Sequence, residues 1–264
     1  DRKIGFGRLE SFLYKKWYNI PLSIWLNIRS FPLKQAIKLP IAVYGWPRLY
    51  SLAGSMKVEG KITIGMIKIN RCQIGAPNNL GLNTEICNQG DIIFHGPGLI
   101  GTGNKIVVEG VLSIGSNFLI TNMVNIGCYD RIELGDAIMI THRCQIMDTN
   151  YHYIVDYGNH CIRKLTSPIK IGVGCWVGNS STIMPGTELP DYAIVCSHSL
   201  VNKKYDESCI MIGGVPAKVI SHKVVRLNNK RIEKKVYEYF RNTSHDVYEL
   251  EDCDDFIECT KIVD

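Results

Sequence analysis

An aliphatic residue recurs at every sixth position through most of this chain. One run is Ile74, Leu80, Ile86 and Ile92; a second is Phe94, Ile100 and Ile106. A third is Val108, Ile114, Ile120, Ile126 and Ile132; a fourth is Leu134, Ile140 and Ile146. The last is Ile171, Val177, Ile183, Leu189, Val195 and Val201. Neighbouring runs join by steps of two, at 92 to 94, 106 to 108 and 132 to 134. Residues two apart in a strand point to the same side, so each join keeps an apolar residue facing one way. Gly often follows the aliphatic, as in Ile74-Gly75, Ile114-Gly115, Leu134-Gly135 and Val177-Gly178. A period of six fits neither a helical heptad nor ordinary hairpins. It predicts a parallel β-helix, in which each hexad supplies a short strand and a tight turn. Three hexads close a triangular coil of about 18 residues, and stacked coils share one apolar core. Small residues and Asn or Gly are expected at the corners.

The rhythm fails once inside this body, between Met147 and Pro168. The polar, aromatic insert over 148–168 is where a regular prism would carry binding residues. Residues 1–55 read as a cap of short helices broken by Pro21, Pro32, Pro40 and Pro47. The expected organisation is this cap, a prism over 56–220, and a charged tail over 221–264 with a helix across 226–240. The fold class is all-β with helical ends. Cap and tail would cover the two open ends of the prism, and the acidic stretch 251–255 reads as a solvated end.

Composition adds bounds. The 264 residues are 45% apolar and 21% charged, with a net charge of +5. No dense Lys/Arg stripe runs through the body, so no nucleic-acid partner is expected. The ten cysteines form no C-x-x-C and no zinc spacing, so no metal is expected; reduced core thiols in a cytoplasmic protein are the plain reading. The beginning Asp1-Arg2-Lys3 has no signal-peptide pattern, and no apolar run reaches the ~18 residues of a membrane span. The aromatic and basic segment from Trp17 to Tyr50, with Trp25, Phe31, Lys34 and Lys38, is either a packed cap or a peripheral membrane contact.

The stretch Pro168 to Gly186, PIKIGVGCWVGNSSTIMPG, and Ile212 to Ile220, IGGVPAKVI, resemble hexapeptide-repeat acyltransferases of the maltose and galactoside acetyltransferase kind. The loop Met147-Asp148-Thr149-Asn150-Tyr151-His152 resembles their catalytic loop. The likeness is specific over about residues 100–220. Before that the chain looks more like acetyltransferases encoded with capsule and lipopolysaccharide synthesis. The resemblance implies a left-handed winding, a homotrimer, and acetyl-CoA bound in a cleft between subunits.

It also implies roles. His152 becomes the base that deprotonates the acceptor, a task suited to imidazole; alone it would read as a solvent-facing loop histidine. Asp148 either holds the His152 tautomer or binds the sugar. The backbone N–H of Asn179 becomes an oxyanion donor. Trp176 lies beside the site or at a subunit contact. Ser197 meets the pantetheine, and Lys203 and Lys218 the nucleotide end. Asn122 and Asn125 match acceptor-binding positions, though Asn is also a good turn residue. His198 replaces a small residue of the family and narrows the expected coenzyme channel. His95, His142 and His160 carry no motif. The expected activity is transfer of acetyl to a saccharide hydroxyl in surface-polysaccharide synthesis, or to the nitrogen of an amino sugar.

Other classes weigh less. A γ-carbonic-anhydrase site needs a close histidine pair, and no H-x4-H occurs. A sugar nucleotidyltransferase needs a large nucleotide-binding domain that the first 55 residues cannot hold. A non-catalytic binding module would have no need of the Asp148-to-His152 loop.

Overall fold

The computed structural model describes residues 17–72, 81–250 and 256–261. Ile74, Gly75 and Leu80 of the first run and the acidic stretch 251–255 lie outside the described residues.

The aliphatic ladder folds as its period demands, into a parallel β-helix of three sheets. Sheet I stacks Ile41–Val43, Ile67–Ile69, Gly98–Ile100, Phe118–Ile120, Met139–Ile140, Trp176–Val177 and Ile194–Val195. An antiparallel hairpin, Ile210–Gly214 with Ala217–His222, extends it. Sheet II stacks Arg48–Leu52, Glu85–Asn88, Lys105–Val108, Asn125–Cys128, Gln145–Met147, Thr182–Ile183 and Leu200–Val201. Sheet III stacks Ser55–Val58, Asp91–Phe94, Val111–Ile114, Arg131–Leu134, Ile169–Ile171 and Glu188–Leu189.

The sixfold runs become three buried columns. Ile100, Ile120, Ile140, Val177 and Val195 stand in register up sheet I. Ile106, Ile126, Ile146, Ile183 and Val201 do so in sheet II, and Phe94, Ile114, Leu134, Ile171 and Leu189 in sheet III. All are buried, and each fully buried aliphatic contributes about 1.5–3 kcal/mol. The glycine after the aliphatic is demanded by space. A Cβ at Gly135 or Gly178 would come within 2.6 Å of the next coil's backbone.

Four features differ from the sequence reading. First, the coils before the insert repeat every 20 residues, as the pairs Ile106–Ile126 and Ile126–Ile146 show. Coils after it repeat every 18, as Ile183–Val201 shows. The two extra residues lie between sheets II and III, where Asn88, Val108 and Cys128 add a second inward position. Second, the prism begins at Ile41, inside the stretch read as the cap. Third, corners accept bulky residues: Met123, Arg143, Tyr192 and His198 all have positive φ, their side chains pointing away from the core. Fourth, the described part of the tail does not continue the stack at the open end. The hairpin takes that place, and residues around Arg226 and Asn228 run back along the outer face of sheet I beside Leu99, Leu119 and Met139. The tail helix spans Lys230–Asn242, and the Asn229 side chain caps it through the N–H groups of Arg231 and Ile232.

At the other end, helix α1 (Ile20–Ser30) lies against the first strand of sheet I, followed by the short α2 (Leu33–Ala36). Pro21 sits in the first turn of α1, where it starts the helix instead of breaking it.

Candidate active site

The insert leaves the prism at the edge between sheets II and III and returns to the same edge. Its neck is closed by the antiparallel bridge Thr149–Thr166, and its tip by the hairpin Val155–Asp156 with Cys161–Ile162. Asp148 stands at the exit, fully buried. Its Oδ1 accepts from the N–H of Tyr129 at 2.8 Å, and its Oδ2 from Asp130 and Arg131 at 2.8 and 2.9 Å. Both oxygens are thus engaged by the turn of the preceding coil. Through these three bonds Asp148 anchors the root of the loop. Together with burial, which is the larger cause, its charge pushes the Cys128 thiol up to about 12.

A second layer fixes the loop. Lys164 pairs with Asp130 at 2.5 Å, Thr166 donates to the same carboxylate, and Lys164 holds that carboxyl below its ordinary value. The ring of Tyr151 stands edge-on to Tyr129 with centroids 5.1 Å apart. The Tyr151 hydroxyl lies over Gly127, where a Cβ would be 3.4 Å away. His152 follows, exposed, its ring making no hydrogen bond among the described residues. It borders a cavity of about 420 Å³, together with Tyr153, Asp156, Arg163 and Lys164.

A different group lines the edge between sheets I and II. The second residues of successive corners there are Thr102, Asn122, His142, Asn179 and Ser197. The third residue of each corner donates its N–H to the second residue above: Met123 to Thr102, Arg143 to Asn122, Ser180 to His142, His198 to Asn179. One vertical column results. Asn122 is fully buried in it, and its Oδ1 accepts from the N–H and hydroxyl of Thr102 at 3.0 and 3.3 Å. That is the work of a corner residue; the side chain expected to meet the acceptor holds two turns together. The N–H groups of His142, Asn179 and Ser197 make no hydrogen bond to another of the described residues. His142 Nδ1 is buried without a partner, and burial, with Arg143 second, lowers the imidazole's pKa. Sequence reasoning passed over His142. Its signal is the coil length: it lies 20 residues beyond Asn122, as Asn122 lies beyond Thr102.

The remaining candidates are spread out. Asn125 stands half-buried on the outer face of sheet II, between Lys105 and Gln145. Trp176 lies on the outer face of sheet I under the Arg226 guanidinium, 5.8 Å from its ring centre, and its indole N–H is buried without an acceptor. Lys203 and Lys218 are exposed near one end of the prism. Tyr205 joins them: Lys203 lies 5.0 Å above its ring, and its hydroxyl donates to Ala217 O next to Lys218. His198 is exposed at its corner, beside Ser197.

His152 and the Asn179 column therefore occupy two different edges of the prism. One face, on the order of 15 Å for a strand with its turns, separates them. Among the described residues, no three His, Cys, Asp or Glu side chains gather as a metal set.

No family model matches the chain. It is 25% identical over 182 residues to WbbJ of Escherichia coli (strain K12), a protein assigned to lipopolysaccharide O-acetyl transfer, covering 65% of this chain and 89% of that one. It is 28% identical over 131 residues to Rv3034c of Mycobacterium tuberculosis, assigned as an acetyltransferase. That match covers 47% of this chain, which spans 42% of the mycobacterial protein's length. Among solved structures, the polysialic-acid-specific acetyltransferase NeuO superposes with a TM-score of 0.55 at 17% identity, over 74% of this chain and 91% of that one. That likeness is one of fold.

Proposed function

Starting from its likeness to hexapeptide-repeat acetyltransferases in sequence and fold, we propose that this chain moves acetyl from acetyl-CoA to a saccharide hydroxyl, with His152 as general base. The carrying observation is the separation of His152 from the unpaired N–H groups of Asn179 and its column. A base on one edge and oxyanion donors on another are useless to each other in one chain. They meet where the II/III edge of one protomer faces the I/II edge of its neighbour. Left-handed prisms in a homotrimer make that meeting three times.

The chemistry follows from the residues. His152, free of internal partners, takes the acceptor's proton as its oxygen attacks the thioester carbonyl. The N–H of Asn179 steadies the oxyanion that forms. Collapse expels the CoA thiolate, which takes the proton back from the imidazolium. Lys203 and Lys218 offer cations to the nucleotide phosphates, and Ser197 carries the column toward them. The name of the Escherichia coli relative supports a surface-polysaccharide acceptor. A reaction fed by acetyl-CoA suits the cytoplasm.

The test is CoA release from acetyl-CoA with a panel of oligosaccharides and amino sugars. Release with a hydroxyl acceptor supports the reading, and release only with amino sugars supports N-transfer. His152→Ala should abolish turnover while CoA still raises Tm. A chain that binds no CoA ester rejects the proposal.

A further inference from the structure

Helix α1 buries polar residues beside Leu26 and leaves an apolar stripe exposed. Its buried side carries the polar residues Asn19, Ser23, Asn27 and Ser30. Asn19, Ser23 and Asn27 act as a strand would toward the open edge of sheet I. Asn27 accepts from Ile41 N–H at 3.0 Å and donates to Ile41 O at 2.8 Å; Ser23 Oγ accepts from Val43 N–H at 2.9 Å; Asn19 donates its backbone N–H to Val43 O and its side-chain amide to Gly45 O. A free sheet edge is thereby closed. Leu26 and Leu22 pack inward beside these polar residues, and the remaining apolar residues face out. Ile20, Ile24 and Ile28, one stripe at intervals of four, are 54, 41 and 60% exposed, with Trp25 beside them at 49%. Leu33 and Ile37 of the following turn are exposed to 73 and 70%. Phe31, in the segment read as either a packed cap or a membrane contact, is in the core.

The charges carried by this stretch of chain are of one sign. No Asp or Glu occurs between Ser11 and Val58. Arg29, Lys34 and Lys38 are exposed, and no ion pair joins them to another of the described residues. A contiguous apolar patch of this kind needs a cover. A second copy of the same face would bring like charges together. An anionic lipid surface takes both parts: its interface accepts Ile and Trp side chains, and its headgroups pair with the cations. No helix among the described residues is long and apolar enough to cross a membrane, so this contact lies along the surface. We propose that the outward face of α1, with Leu33, Ile37 and the adjoining lysines, docks this protein on an anionic membrane.

The full chain is tested by co-sedimentation with vesicles of phosphatidylcholine alone and of phosphatidylcholine mixed with phosphatidylglycerol. Binding to the mixed vesicles is expected to be at least about tenfold stronger and to weaken with salt. Ile24→Ser with Ile28→Ser, and separately Lys34→Glu with Lys38→Glu, should each reduce it about tenfold, with circular dichroism and Tm unchanged. Equal binding by all variants, or none to any vesicle, overturns the proposal. So does a fall in oligomer mass for the Ile24→Ser, Ile28→Ser protein in sedimentation velocity, which would make this face a subunit contact.

Discussion

Tyr151 stands edge-on to Tyr129, with ring centroids 5.1 Å apart and planes at 83°. The residue before His152 is thereby tied to the coil preceding the one from which the loop departs. A catalytic imidazole on a loop works only if the loop has a fixed seat, and a misplacement of about 1 Å costs about 100-fold in rate.

Tyr151→Ala is therefore expected to lower kcat about 100-fold and leave the KM for acetyl-CoA nearly unchanged. Steady-state kinetics with the best acceptor checks this. A variant with ordinary kcat would show that His152 is placed by something else.

Asp148→Asn swaps one acceptor oxygen for a donor that must face a backbone N–H. The expected loss is about 3 kcal/mol of stability, read from urea unfolding. The pH profile of kcat at low temperature should stay where it was. A displaced profile would restore Asp148 to a role in setting the His152 tautomer.

Asn179→Pro removes one N–H at a corner that accepts proline well. The next residue, Ser180, has φ of 58°, as the third position of a type II turn requires, and such turns favour Pro at the second. A kcat loss of about 100-fold is expected with the fold intact. Co-assembly of Asn179→Pro with His152→Ala chains should recover part of the activity, because a mixed interface can pair an intact loop with an intact column. No recovery would place the two groups in one protomer's site.

His142 supplies a pH test. Burial, with Arg143 second, puts its folded pKa below the ordinary value near 6.5. The unfolded chain then binds the proton more readily than the folded one. Its contribution to stability is complete above about pH 6.5 and is lost as pH falls below that value. His142→Asn should flatten the decline of Tm over that acidic window. An unchanged slope would mean the imidazole is no drier in the fold than in the unfolded chain.

The prism was legible because its cause is local and repeated. Ile114, Ile120 and Ile126 are inward for the same reason, and each coil restates it. The loop was legible as a break in that rhythm between Met147 and Pro168. The α1 surface was legible only in part. Trp25 and Lys34 lie where an aromatic, basic surface would, but Phe31 turned inward because the helix spends its polar face on the sheet edge.

What the chain order alone determined is the tube: a fixed period of inward aliphatics, each buried by the coil above and below. What only the tertiary structure decided is which polar residues share an edge. Two additional residues per coil before residue 148, and none after it, set the register that aligns Asn122, His142, Asn179 and Ser197. The same register buries Asp148 beneath three N–H groups and leaves His152 a full face away. Those neighbours are brought together by stacking across 18, 20 or 37 positions of chain, and no local propensity encodes a contact at that range.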